Sequence, residues 1–503
     1  MRRTSEERRT DSTSPQAASS TLRGVGDRAV LGVAWLGGGQ MVRMGVSFIT
    51  QILLARMLLP TDFGLFGMAY MAAELAQLFA AFGVGAAIIQ KQTTNSDVLS
   101  SCFWINILIG LVIGVVLVVS GPLVEVYFRT EGVGKLMWPL AANMVVCAAM
   151  VVPQALLTQR LLFREQMKAQ IVGSGCSAIA AVIAAFSGAG VWTLAIQPLV
   201  GNLVTALFMM AQSNWRPSRR LRMRDVQPLL KLSTQLLLNS FVEWFARSLP
   251  GMIIGRQLGA AAVGAYAMAT GLTGVVVYQI SSIITRVLFP TLAVLRTDPD
   301  VMRMAWRKSI SAIAIAAWPL MASAVAVAPD FVPVVFGQQW QASIRPFQAL
   351  CLLMAFQCVA FTANTVLLAL GQTDILLKLT LTSTVVFAAA LWLGALYGLD
   401  EAASAYALAG IFMVLLTFVV AAKQCQVPLG DLLRELRPWG QAALLIGLAM
   451  AGLAHAMAAA HQVLRLVACV ALGAVLYPSL LMLFDRKRTL EIVQDVATRL
   501  FRK

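Results

Sequence analysis

QILLARMLLPTDFGLFGMA, residues 51–69, is written a second time as GMIIGRQLGAAAVGAYAMA, residues 251–269. At this offset of 200, Arg56 meets Arg256, Leu58 meets Leu258, Gly64 meets Gly264, and Met68–Ala69 meet Met268–Ala269. Further on, LVEVYF at 123–128 resembles FVPVVF at 331–336 at an offset of 208, as if the intervening loop had gained eight residues. Self-similarity at a fixed offset marks a duplicated structural unit. The matches coincide with the same helix ends in both halves, which chance likeness between apolar stretches does not require.

What is duplicated follows from composition. Hydrophobic residues make up 59% of the 503 residues and charged ones 12%, against about 45–50% and about 25% in soluble domains. So few charges cannot cover a soluble surface of this size. A membrane-crossing helix needs roughly 20 mainly apolar residues. That ruler finds fourteen spans, at about 31–55, 63–87, 99–121, 136–158, 168–187, 190–211, 232–254, 260–284, 309–329, 344–370, 375–397, 402–422, 439–458 and 464–484. Continuous apolar runs exclude a β-barrel, whose strands alternate. The expected fold is an all-α polytopic membrane protein of about fourteen transmembrane helices.

The offset lays the seventh span over the first. Six spans per unit is an even number, so both units share one polarity and are related by a pseudo-two-fold axis along the membrane normal. The expected organisation is a disordered cytoplasmic tail (1–28), an N-terminal six-helix lobe (29–215), a basic cytoplasmic linker (216–231), a C-terminal six-helix lobe (232–422), two additional transmembrane helices (438–484) left over as an appendage, and a cytoplasmic tail (485–503). The first 28 residues hold no apolar core of a signal peptide.

Charge sets the orientation. The net charge is +16, from 39 Lys and Arg against 23 Asp and Glu. With the N-terminus inside, only Arg56, Arg129, Lys135, Arg256, Arg345 and Arg465 fall in outer segments, and Arg43 and Arg247 lie within spans. All other basic residues are cytoplasmic, which is the positive-inside signature. Arg216–Arg224 and Arg303–Lys308 then face anionic membrane lipids, and nucleic acid is not needed to explain them. The seven cysteines are scattered and only His455 and His461 exist, so no metal site is expected and no nucleophile–base arrangement marks an enzyme.

Several motifs, in order, resemble one family. Ala55-Arg56-x-Leu58-x-Pro60-x-Asp62-Phe63-Gly64 and Phe82-Gly83-x-Gly85-x-Ala87, within Trp35 to Gln92, resemble the N-terminal signature of the Wzx-type polysaccharide repeat-unit flippases. Gly188-x-Gly190-x-Trp192-x-Leu194, Asn214-Trp215-Arg216-Pro217 and Phe336-Gly337-x-x-Trp340 fit the same pattern, and the resemblance covers about residues 30–425. The superfamily also holds the multidrug extruders and lipid II flippases, and fourteen spans look like the lipopolysaccharide-exporter branch. The resemblance implies alternating-access flipping of a polyprenyl-pyrophosphate-linked oligosaccharide across a bacterial inner membrane, for exopolysaccharide, O-antigen or capsule. A polymerase and a chain-length regulator are then candidate partners, and no cofactor is implied beyond an H+ or Na+ gradient.

Such a substrate needs cationic groups inside the membrane, where each charge costs about 2.5–3.5 kcal/mol on insertion scales. Arg43 lies mid-way along the first span, and its equivalent at +200 is Glu243, with Arg247 four residues on. Arg43 and Arg247 are the expected pyrophosphate ligands, since the planar guanidinium binds phosphate oxygens bidentately. Glu243 would hold them in the empty site; alternatively, Glu243 and Arg247 neutralise each other within one helix. Glu74 and Gln77 share a face of the second span. Glu74 reads either as a coupling carboxylate or as a structural partner of Arg43. Among uncharged polar residues, Gln279 and Asn364 are the candidate sugar contacts, and residues of this kind, Gln357 among them, serve equally as helix–helix links. Gly37-Gly38-Gly39 suits close packing, since no strand precedes it as a phosphate loop requires. The competing function is a cation-coupled small-molecule antiporter of the multidrug type.

Overall fold

A computed structural model of the chain describes residues 15–80, 84–92, 95–218, 234–274 and 299–501, and among these there is no strand. The helices are α1 (Pro15–Met57), α2 (Pro60–Ala80), α3 (Val84–Lys91), α4 (Ser96–Val119), α5 (Gly121–Phe128), α6 (Val133–Gln159), α7 (Phe163–Phe186), α8 (Trp192–Gln212), α9 (Thr234–Leu258), α10 (Pro299–Phe336), α11 (Ile344–Ala369), α12 (Thr373–Ala395), α13 (Leu399–Gln424), α14 (Leu429–Ala456) and α15 (Gln462–Phe501). Residues 260–274 are also helical.

Ten of the described helices are long and apolar enough to cross a membrane. They are α4, α6, α7, α8 and α10–α15, and they coincide with ten of the expected spans. The expected span at 31–55 falls on α1, that at 63–87 on α2 and the start of α3 with residues 81–83 outside the described residues, and that at 232–254 on α9 from residue 234, while the one at 260–284 runs past the described residues. The chain is a multi-pass all-α membrane protein. Residues 15–28, expected in a disordered tail, form the start of α1, which opens on Pro15, the residue pre-set for a first helical turn. Most of the expected linker at 216–231 lies outside the described residues.

The turn between α1 and α2 explains part of the quoted motif. Pro60 opens α2, and Asp62 reaches back to accept the Leu59 backbone N–H at 2.9 Å, the carboxylate half of a capping box. In α5 a similar economy holds. Its last carbonyls are closed by Arg129 in the left-handed region at φ 54°, while Glu125 Oε1 accepts the Gly132 and Gly134 N–H groups at 2.9 Å and so caps α6.

Contacts divide the chain into two compact units that cut across the repeats. One comprises residues up to Gln51, Ala73–Val119 and Met137–Phe241. The other comprises Ile52–Ala72, Ser120–Leu136 and everything from Val242. The α1–α2 turn and α5, both from the first repeat, therefore belong with the second.

Small residues build the first unit. A Cβ on Gly110 would come within 2.9 Å of Ala148 Cβ, and one on Gly173 within 2.0 Å of Thr205 Oγ1, so α4–α6 and α7–α8 approach at backbone range. Of the three consecutive glycines in α1, Gly39 alone lies against a neighbour, Met167, whose Cγ a Cβ would meet at 2.0 Å. Asn202 donates to Asn143 Oδ1 at 3.0 Å, linking α8 to α6.

The second unit's core joins Trp306, Ile310 and Ile313 of α10 to Val359 and Val366 of α11, Ala421 of α13, and Leu432 and Trp439 of α14. The last two helices are thus built into this unit. Two ion-pair clusters, each around a buried carboxylate, fasten them. Arg465 of α15 donates from Nε to Asp330 of α10 at 2.7 Å, with Asp330 only 4% exposed. Glu435 of α14, also buried, takes Arg307 at 3.3 Å and the Ser311 hydroxyl at 3.3 Å. All seven cysteines are free. Burial pushes the Cys425 thiol, at the end of α13, up to about 11 against the opposing pull of Arg303.

Candidate functional site

The duplicated sequence makes a duplicated contact. Arg56, in the last turn of α1, donates through Nε to the Val335 carbonyl at 2.9 Å and through Nη2 to the Val334 carbonyl. Arg256, in the last turn of α9, donates through Nη1 to the Tyr127 carbonyl and lies 5.2 Å from the Tyr127 ring centroid. Tyr127 and Val335 are the positions paired by the 208 offset, so each arginine grips the other repeat's copy of one segment.

The glycines repeat the exchange. A Cβ on Gly64 would meet the Ala260 carbonyl oxygen at 1.7 Å, and one on Gly264 would meet the Pro60 carbonyl oxygen at 1.9 Å. Pro60 and Ala260 are themselves 200 apart. A self-complementary contact, residue i on j and j on i, is what a two-fold axis imposes. Within this collar the contacts are reciprocal in the sense that a two-fold relation between the two copies of the motif requires. Trp340 completes it from a 3₁₀ turn at Gln338–Ser343, donating its indole N–H to the Ala55 carbonyl at 2.8 Å and meeting Phe63 edge-on at 5.0 Å.

The expected charged ligands are distributed over both units. Arg43 is partly buried on α1 and donates to Gln170 Oε1 of α7 at 2.6 Å, with no carboxylate in a salt bridge to it among the described residues. The sequence offers one signal for Gln170, a polar residue inside an apolar span, and that signal does not name its partner. Glu243 and Arg247 are exposed on α9, and no ion pair joins them among the described residues. Neither expected role of Glu243, holding Arg43 and Arg247 or pairing with Arg247 within the helix, is present as an ion pair among the described residues. Glu74 is partly buried and Gln77 exposed on α2. Gln279 lies outside the described residues.

Asn364 stands in a cavity of about 100 Å³ between α11, α12 and α13, where Gln357, Thr380, Ser383 and Thr417 join it. Polar lining inside a membrane bundle suits a hydrated or hydroxyl-bearing guest. A larger space of about 920 Å³ opens between α14 and the helices α10, α11 and α13. Trp318, Phe356, Phe418, Leu433 and Leu436 make it apolar, and Arg434 and Arg437 of α14 also line it. The arrangement can take an apolar chain with an anionic group at one end.

Comparison with known proteins agrees with this architecture. Residues 53–345 match the family described as polysaccharide biosynthesis protein. The lipopolysaccharide biosynthesis protein WzxC of Escherichia coli (strain K12) is 26% identical over 378 residues, 73% of this chain and 75% of that one. The succinoglycan biosynthesis transport protein ExoT of Rhizobium meliloti (strain 1021) is 26% identical over 467 residues, 90% of this chain and 92% of that one. Among solved structures, the lipid II flippase MurJ in an inward closed conformation superposes with a TM-score of 0.68 at 14% identity, covering 91% of this chain and 99% of that chain. An inward-facing multidrug transporter of the MOP superfamily gives 0.59 at 12% identity, covering 78% and 98%. The match over residues 53–345, on a fold shared with MOP superfamily transporters, shows that the chain belongs to the polysaccharide biosynthesis protein family.

Proposed function

We propose that this protein flips a polyprenyl-pyrophosphate-linked oligosaccharide repeat unit across a bacterial inner membrane by alternating access, for exopolysaccharide, O-antigen or capsule synthesis. The reciprocal collar carries the reading. Two copies of one motif making the same polar contact with exchanged partners suit a gate that parts symmetrically. The positive-inside pattern supports a periplasmic position for the collar and cytoplasmic termini. The relatives named for lipopolysaccharide biosynthesis and succinoglycan transport support the substrate class.

Arg43 and Arg247 are the residues suited to pyrophosphate, and Gln357 and Asn364 to sugar hydroxyls. The apolar space beside α14 suits a prenyl chain. An H+ or Na+ gradient is the proposed drive, with Glu74 as the coupling carboxylate. The multidrug-type antiporter is supported by fold likeness alone. Deleting the gene should accumulate lipid-linked oligosaccharide on the inner leaflet and stop polymer at the surface. Normal polymer in the deletion strain would remove the proposal.

A further inference from the structure

A second cationic cavity lies away from these groups, beside the collar. It measures about 580 Å³ and is lined by the ends of α5, α9 and α12, with Arg129 and Arg256 as its charged residues and no carboxylate among the described lining. Tyr127 and Trp392 supply aromatic walls, Leu396 an apolar one, and Gln257 a neutral amide. Arg256 spends one donor on the Tyr127 carbonyl. Arg129 has no salt bridge among the described residues, although its backbone is held in the left-handed region at φ 54°. Two exposed arginines side by side, with no acid in the described lining to neutralise either, offer guanidinium donors to an anion.

The surroundings say where the anion comes from. Val126 of α5 is 75% exposed and Tyr397, just past α12, is 82% exposed. Large apolar and aromatic side chains turned outward at helix ends belong to the membrane–water interface, where Trp and Tyr sit at headgroup depth. We infer that this cavity binds the phosphate of a membrane lipid headgroup, with Arg129 as the principal ligand and the lipid chains left in the bilayer. The leaflet rests on the proposed topology, which makes it the periplasmic one, opposite the basic loops expected to meet cytoplasmic lipids. Two lipids carry this chemistry, a phospholipid such as phosphatidylglycerol and a flipped polyprenyl diphosphate.

The test is lipid retention by the full-length protein, read by native mass spectrometry from nanodiscs of phosphatidylcholine doped with phosphatidylglycerol or with polyprenyl diphosphate. Arg129→Asn removes the charge and keeps a residue that tolerates the left-handed backbone. It should weaken retention of at least one of the two lipids about tenfold, since a charge-assisted hydrogen bond is lost. Arg129→Lys should weaken it less. The lipid that responds names the source, and a response to both assigns the site to phosphate lipids in general. Equal retention of both lipids by wild type and Arg129→Asn would overturn the inference, as would inorganic phosphate binding in wild type with neither lipid retained. Retention is an equilibrium reading that needs no transport, so it stands or falls apart from the deletion phenotype above.

Discussion

Arg56 and Arg256 stand 200 positions apart and make the same bond with exchanged partners, Arg56 to Val335 and Arg256 to Tyr127. Each side chain is exposed, so the charge-assisted bond falls near the low end of its range, about 1 kcal/mol. The exchange makes a directional prediction. Arg56→Ala should raise amide hydrogen exchange around 331–338, in the other repeat, roughly fivefold. Arg256→Ala should do the same around 123–130. Loosening confined to each mutated arginine's own repeat would contradict the reciprocal collar.

Gly64 and Gly264 face backbone carbonyls at distances no Cβ can accept. A carbonyl oxygen within a helix turn cannot swing aside as a flexible side chain can. Gly64→Ala and Gly264→Ala should each destabilise the protein by roughly 3 kcal/mol, the upper part of the overpacking range. Gly37→Ala is the matched control, because nothing lies within 4 Å of its Cβ position. It should leave the detergent unfolding midpoint unchanged or slightly higher. Comparable midpoints for Gly37→Ala and Gly64→Ala would sink the close-contact explanation.

Buried Asp330 and partly exposed Arg465 tie α15 to α10. Removing the arginine strands a buried carboxylate, at roughly 3 kcal/mol, the low end of the range for a buried pair. Asp330→Asn and Arg465→Met should each lower the thermal midpoint strongly, and the double variant Asp330→Leu with Arg465→Met should recover most of the loss. A double variant as unstable as the two single effects combined would show that the pair does not act as a unit.

The collar's two pairs of segments are legible in the amino-acid sequence itself. The offsets of 200 and 208 identify them as copies, and which copies touch emerges only from the structure. Apolar run length places the ten long helices, since the bilayer fixes that length whatever the packing. Pairing is less legible. Glu243 and Arg247 have the i, i+4 spacing of a helical ion pair yet do not form one, because spacing brings Cβ atoms together without directing the side chains. Gln170 as the partner of Arg43, and Asp330 as the partner of Arg465, depend on which helices become neighbours. No single-helix pattern carries that information. The last two helices read as an appendage for the same reason, since their fastening charges lie far apart in sequence.

Glu74 is partly buried on an apolar helix, where a carboxylate is costly unless it is used. As a coupling carboxylate it alternates between protonated and ionised forms, and Gln imitates only the neutral one. Glu74→Gln should therefore retain flipping in reconstituted vesicles while losing its dependence on an imposed proton or sodium gradient. An unchanged gradient dependence would dismiss Glu74 as the coupling group.

Arg43 is the sharpest test of the substrate reading. Its guanidinium meets a neutral amide, Gln170, at 2.6 Å, so the hydrogen bond fixes its direction, and no carboxylate forms a salt bridge to it among the described residues. On the expected first span, a positive charge held in place with no salt-bridged acid among the described residues attracts an anion, and a pyrophosphate offers oxygens matched to the guanidinium fork. Arg43→Ala should abolish polymer export with membrane abundance unchanged, because the amide left behind can still find water or a neighbour. Arg43→Lys keeps the charge but loses the fork, and should retain a reduced rate. Gln170→Leu leaves the charge but frees its direction, so it should weaken export less than Arg43→Ala does. Normal export by Arg43→Ala would exclude Arg43 from the substrate path, and equal loss in Arg43→Ala and Gln170→Leu would reassign the pair to helix packing.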